Sequence, residues 1–244
     1  MARMQPLLYG ELVPWYHLVD PPEDHQEEGV CFQAAFERVV TPRPETLLEL
    51  GAGAGNNARH LTHRFICTLT DVSADMLALS REQNPGCEHV LGDMRTLRLG
   101  RTFDAVLVHD AIMYMLTEED LSAAVETAFL HTRSGGAAIF APDCYRETFR
   151  DTTETLMADH GQRALRGLMW TWAPHPEDST YFVDFAFLLR AGDDVKAVHD
   201  RHVEGLFTRE TWRRVLTRAG FRVETMPRPL GDGTFDDIFL CLRP

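Results

Sequence analysis

The chain has 244 residues, 44% hydrophobic and 25% charged, enough for one large domain or two small ones and without the bias of disordered or fibrous sequences. A formal net charge of -13 argues against nucleic acid as a partner: phosphate binding needs clustered Lys and Arg, and the longest basic cluster is Arg213-Arg214. No apolar run approaches the roughly 20 residues of a membrane span, no secretory signal opens the sequence, and five scattered cysteines fit reduced thiols, so a cytoplasmic protein is expected.

Residues 1–44 read as an arm and a helix. Tyr9, Trp15 and Tyr16 precede Pro21-Pro22, and apolar spacing predicts a helix over residues 27–40, stopped by Pro42 and Pro44. The arm is expected either to fold over a ligand as a lid or to pack on the body. Residues 46–50 then form a short apolar strand ending in glycines, 56–63 a helix and 65–71 a second strand. Ser73 is placed to cap a helix reaching residue 83, since its hydroxyl can accept from a free backbone N–H. Strands follow at 89–92 and 103–109, then a helix over 118–132 and a strand over 137–141. This alternation predicts a doubly wound α/β fold with a mostly parallel sheet and right-handed crossovers.

After residue 142 the rhythm breaks. Residues 143–170 read as helical and mixed, and 181–189 with 195–207 as an antiparallel hairpin, so 143–206 is expected to be an insertion on the substrate side. In 207–244, Thr208 caps a helix ended by Gly220, and strands at 221–225 and 235–242 complete the same domain.

The strongest local signal is the run Leu47-Leu-Glu-Leu-Gly51-Ala-Gly53-Ala-Gly55-Asn56. Glycines between a strand and a helix let backbone approach a ligand, and the helix start offers free N–H groups to an anion. A dinucleotide fingerprint would need a glycine at position 56, where this chain has Asn56. The pattern acidic-x-G-x-G-x-G from Glu49 resembles instead the first motif of the class I S-adenosylmethionine-dependent methyltransferases. Three further strand ends match in register: Asp71, 20 positions after Gly51; Gly92-Asp93-Met94; and His109-Asp110.

The resemblance implies a Rossmann-like sheet of seven strands whose last strand is antiparallel, with the antiparallel β segment inserted in its second half. It also implies a cofactor pocket. S-adenosylmethionine would set its carboxylate near the Gly53 and Gly55 amides and its ammonium near Glu49, Gly51 and Ala52. Its ribose would lie by Asp71 and Val72, and its adenine by Asp93 and Met94. Asn56, Met76, His109 and, from the arm, Tyr16 complete the set, and S-adenosylhomocysteine is the expected product.

Three stretches resemble a narrower bacterial group that includes N,N-dimethyltransferases of nucleotide-linked amino sugars: residues 92–100, Ser134-Gly-Gly136, and His202-Val-Glu-Gly-Leu-Phe-Thr208. In that group Tyr114 and His202 would face a small-molecule acceptor, an amine or a hydroxyl. His109, Asp110, Tyr114 and His202 are the candidate bases, since His titrates nearest neutrality. Alternation would put Asp200, His202 and Glu204 on one strand face, to orient the histidine or simply to meet solvent. His109 and Asp110 also have plain structural readings, as a strand-end residue and a helix cap. Two other classes stay open at this point: a nicotinamide-dependent oxidoreductase and a non-catalytic cofactor-binding module. No spacing suggests a metal, and a monomer or homodimer is expected.

Overall fold

The computed structural model describes residues 5–175, 178–229 and 235–244. The arm opens with two 3-10 turns, Leu7–Tyr9 and Val13–Trp15, followed by a single helical turn α1 (Tyr16–Val19). Leu8 and Leu12 are buried in the main core, so the arm is anchored by apolar side chains as well as by hydrogen bonds. A further 3-10 turn, Pro22–His25, leads into α2 (Gln26–Val39), which buries Phe32, Ala35 and Phe36 along one face.

The alternating half follows as expected: β1 (Thr46–Leu50), α3 (Asn56–Leu61), β2 (Ile66–Asp71), α4 (Ala74–Gln83), β3 (Glu88–Leu91), β4 (Phe103–His109), α5 (Glu118–His131) and β5 (Thr132–Ala141). The Ser73 side chain accepts from the Met76 N–H and so caps α4. β5 begins earlier than expected, because Gly135-Gly136 lies inside the strand at a register shift against β4.

Residues 143–170 are not helical. They carry β6 (Thr152–His160) and most of β7 (Arg163–Trp172), which join β8 (Thr180–Ala191) and β9 (Asp194–Gly205) in a four-stranded antiparallel sheet. The misreading has a physical cause. Leu165, Leu168, Met169 and Trp172 fall at helical spacing because β7 carries apolar residues on both faces, which hides its period of two. β6, mostly exposed and polar, gives no alternation to detect.

The chain then returns through α6 (Arg209–Ala219), capped by Thr208 and ended by Gly220 at a φ of 110°, to β10 (Arg222–Pro229) and β11 (Phe235–Leu242). The large sheet has the order β10-β11-β5-β4-β1-β2-β3, with β11 antiparallel to both neighbours. The inner face of the small sheet, including Tyr181, Val183, Phe185, Phe187 and Leu189, shares one core with Val106, Val108 and Phe140 of the large sheet. That packing sets β9 beside the turn that follows β4. Among the described residues no helix is long and apolar enough to cross a membrane.

Candidate active site

The order of the large sheet reverses between β1 and β4, and the site forms at their carboxyl ends, where open α/β sheets place their ligands. Gly51 and Gly53 have φ of 75° and 54°, a region that suits glycine. A Cβ on Gly51 would come within 2.4 Å of the Ala111 Cβ, so this glycine permits contact with the turn after β4. A Cβ on Gly53 would meet only the Met76 Cε at 3.5 Å and the Tyr16 hydroxyl at 3.9 Å, leaving open space between the loop and the arm.

Two carboxyls behind this loop are suited to a charged ligand. Asp71 accepts the Gly53 N–H at 2.9 Å and the Ser73 N–H at 2.7 Å; burial lifts its pKa against the pull of these donors. A carboxylate has about four lone-pair sites and the Val72 N–H takes a third, so acceptor capacity remains for a ligand hydroxyl, and the Val72 side chain stands exposed beside it. Glu49 is almost fully buried, one of its oxygens has no hydrogen-bond partner, and burial pushes its pKa up to about 8. Such a group is costly until a cation reaches it. The orphaned Glu49 oxygen, the open Gly53 edge and the Asp71 lone pairs together fit S-adenosylmethionine.

The rest of the expected cofactor set falls around this opening. The Ala52 N–H bonds to the Thr70 carbonyl, and the side-chain amide of Asn56 bonds to Asp20 at 2.9 Å. Tyr16 also donates to Asp20, at 2.7 Å, so the arm and the glycine loop share one carboxylate. Met94 packs under Gly51. Asp93 is held by Arg95, whose Nε lies 3.0 Å away and whose other end reaches Asp120. An adenine amine would share Asp93 with that guanidinium.

His109 is buried in an ionic cluster. Its Nδ1 lies 3.2 Å from the Asn57 amide, and its Nε2 lies 2.9 Å from Arg228 and 3.0 Å from Asp110. His25 completes the cluster between Asp20 and Glu28: burial alone would lower its pKa, but its hydrogen bonds to both carboxylates lift it to about 11. Glu28, despite its own burial, is held well below the usual range by His109, His25 and Arg228. The ligand atoms of His25, Glu28 and His109 lie within 4.8 Å of one another, as in a metal site. Arg228, itself 3% exposed and 2.9 Å from both Glu28 and His109, puts a guanidinium where such an ion would sit.

A second cluster lines the other side. Tyr9, Tyr16, Tyr114, Asp110 and Asp143 are surrounded by protein on most sides yet keep accessible surface, as side chains facing a cleft do. The Tyr114 hydroxyl lies 2.9 Å from that of Tyr9 and 2.7 Å from the His202 Nδ1. His202 Nε2 in turn faces Asp200 at 3.1 Å. Asp143 shares a hydrogen bond with Asp110 and is pushed well above the ordinary range by burial and by that neighbour. Glu204 accepts from the Tyr181 hydroxyl, and burial, aided by the charge of Asp143, raises its pKa to about 7.

Asp200, His202 and Glu204 are 4%, 2% and 7% exposed, so this face of β9 points inward and the solvated alternative fails. His199 and Arg201, on the other face, pair with Asp184. Phe185 and Phe187 pack inside, with Phe185 4.9 Å from the His202 ring. Trp170 and Trp172 stack on the outer face. Asp110 begins the 3-10 turn Asp110–Tyr114 and does not cap it with its side chain. Asp20, His25, Glu28, Asp143 and Arg228 were absent from the expected set. No local pattern announces Arg228, which reaches the cluster only through the pairing of β10.

Comparison with known proteins agrees with this geometry. Residues 47–136 match the family model described as a methyltransferase domain. The chain is 33% identical over 239 residues to the dTDP-3-amino-3,6-dideoxy-alpha-D-glucopyranose N,N-dimethyltransferase of Streptomyces fradiae, covering 93% of this chain and 90% of that protein. It is 32% identical to the dTDP-3-amino-3,4,6-trideoxy-alpha-D-glucopyranose N,N-dimethyltransferase of Streptomyces venezuelae, over 83% of this chain and 86% of that one. The crystal structure of Streptomyces venezuelae DesVI superposes with a TM-score of 0.81 at 25% identity, covering 96% of this chain and 98% of the other.

Proposed function

The chain belongs to the S-adenosylmethionine-dependent methyltransferases, and from that premise we propose that its acceptor is the amino group of a nucleotide-linked amino sugar. The observation that carries this reading is the similarity to two dTDP-amino-sugar N,N-dimethyltransferases, which runs through the small sheet as well as the cofactor half. The cleft supports it: Asp110, Asp143 and Glu204 offer carboxyl groups to a cationic amine, and tyrosine hydroxyls frame them. Membership of the family sets aside the nicotinamide reading and the non-catalytic one.

S-adenosylmethionine supplies an electrophilic methyl group on a sulfonium. The protein's part is to hold the amine in line with it, and orientation of that kind accounts for several kcal/mol of the barrier. In this reading Glu49, Gly53 and Asp71 hold the cofactor, while Tyr9 and Tyr16 close over it and keep water out. Tyr114, held by His202, positions the acceptor nitrogen. Glu204, poised near neutrality, accepts the proton that an ammonium must lose before it can attack. His109 acts from behind, as a strut between the glycine-loop helix and Arg228.

The test is turnover. Purified protein with S-adenosylmethionine and dTDP-3-amino-3,6-dideoxyglucose should give product heavier by one and then two methyl groups by mass spectrometry. Methylation of the hydroxyl analogue but not of the amine would overturn the proposal.

A further inference from the structure

Asp200 lies on β9, 4% exposed, and serves two parts of the chain at once. Its Oδ1 accepts the backbone N–H of Leu7 at 3.0 Å and its Oδ2 that of Leu8 at 2.8 Å. The same Oδ2 faces His202 Nε2 at 3.1 Å. From His202 the contacts run through Tyr114 to Tyr9, which follows Leu8 in the arm. The result is a closed circuit of hydrogen bonds: arm amides, Asp200, His202, Tyr114, Tyr9, and back to the arm. The Tyr9 carbonyl also accepts from Ser73, so the arm is strapped to the cofactor side by its other edge.

A carboxylate buried this deeply needs its donors. If the arm lifts, Asp200 loses two N–H groups and Tyr114 loses the Tyr9 hydroxyl. His202, which both still share, must then compensate or reorient, while Tyr114 also keeps Glu204. We propose that Asp200 is a positioning residue that couples docking of the N-terminal arm to the orientation of His202, so that the acceptor side is complete only while the arm is closed. Such coupling is reciprocal: whatever fixes His202 also holds the arm, and whatever holds the arm fixes His202. The proposal rests on the reading of Tyr114 and His202 as acceptor-facing, but it is tested without any acceptor, so its failure and that of the function are separable.

The experiment follows arm and histidine in the same samples. Cleavage of the arm by chymotrypsin reports docking, and long-range proton–nitrogen spectra of isotopically labelled histidine report the His202 ring, assigned with His202→Gln. The informative variant is Leu7→Pro. Position 7 opens a 3-10 turn, where proline is tolerated, and the change removes the N–H that Asp200 accepts; Leu7→Ala, which keeps that N–H, controls for the side chain packed on the core. We expect the arm to be cleaved about tenfold faster, as for loss of one hydrogen bond to a charged group. The His202 ring signals should shift or broaden with it. Asp200→Asn should do both, and Leu7→Pro added to it should leave the His202 signals where Asp200→Asn puts them. If Leu7→Pro loosens the arm while the His202 signals stay unchanged, or alters neither, the coupling is wrong. Should Asp200→Asn fail to fold, Leu7→Pro alone decides.

Discussion

Asp71, at the carboxyl end of β2, accepts the backbone N–H of Gly53 at 2.9 Å, which ties the glycine loop to the neighbouring strand before any ligand arrives. The residue expected to hold the ribose thus also shapes the loop that receives the methionine end. Replacing Asp71 by Ala should weaken S-adenosylhomocysteine binding by roughly 100-fold, since it removes both the ligand's acceptor and the loop's anchor. Asp71→Asn keeps one acceptor oxygen and should lose less. Calorimetric titration checks both, and equal affinities in all three proteins would remove Asp71 from the pocket.

Glu49 should release its proton when the cofactor binds. Burial holds it protonated up to about pH 8, and the ligand's ammonium favours the charged form. Near pH 7 the binding enthalpy of S-adenosylhomocysteine should therefore depend on the ionisation heat of the buffer, with up to one proton released per site. In Glu49→Gln that dependence should vanish.

Glu204 contributes to stability with a defined sign. Its folded pKa, about 7, lies above the ordinary value of 4.5, so its contribution is full below pH 4.5 and lost as pH rises through 7. Glu204→Gln should therefore gain on the native protein between pH 5 and 8, by at most on the order of 3 kcal/mol. Urea unfolding of both proteins across that range measures the difference, and a constant gap would refute the assignment.

Tyr114→Phe should separate catalysis from cofactor binding. It removes the hydroxyl that lies between Tyr9 and His202 while leaving the ring in place. We predict kcat lower by about 10- to 100-fold with amino-sugar acceptors, and S-adenosylhomocysteine affinity changed less than about threefold. Steady-state kinetics together with calorimetry distinguish this from a general loss of structure.

Arg228→Gln should destabilise the fold by about 3–5 kcal/mol, because it removes the buried guanidinium that pairs with Glu28 at 2.9 Å. Guanidinium unfolding gives the number. If zinc then binds the variant at His25, Glu28 and His109 but not the native protein, the guanidinium is what excludes an ion there.

Much of the proposed cofactor side was legible because its signals are local. Glu49, Gly51, Gly53 and Asp71 each sit at a strand end that a short window of sequence reveals, and Ser73 announces its helix cap one turn ahead. The acceptor side was legible only in part. Alternation put Asp200, His202 and Glu204 on one face of β9, but polar alternation cannot say whether that face meets water or another sheet; the packing of β9 against the β4 turn decides it. β7 was misread because apolar residues on both its faces imitate a helix. Arg228 was invisible because its partners, Glu28 and His109, lie 200 and 119 residues away along the chain.

β11 lies between β10 and β5 although it follows both in sequence. During synthesis, β5 therefore waits with an unpaired edge, and β10 has no strand to bind, until the eight residues of β11 emerge. Arg228 rides on β10, so the guanidinium of the buried cluster arrives only at that late step. A nascent chain can assemble its glycine loop early, yet Glu28 and His109 lack the guanidinium they share until β11 zips the sheet closed. A ribosome stalled before β11 would thus display a cofactor loop without a finished enzyme beneath it.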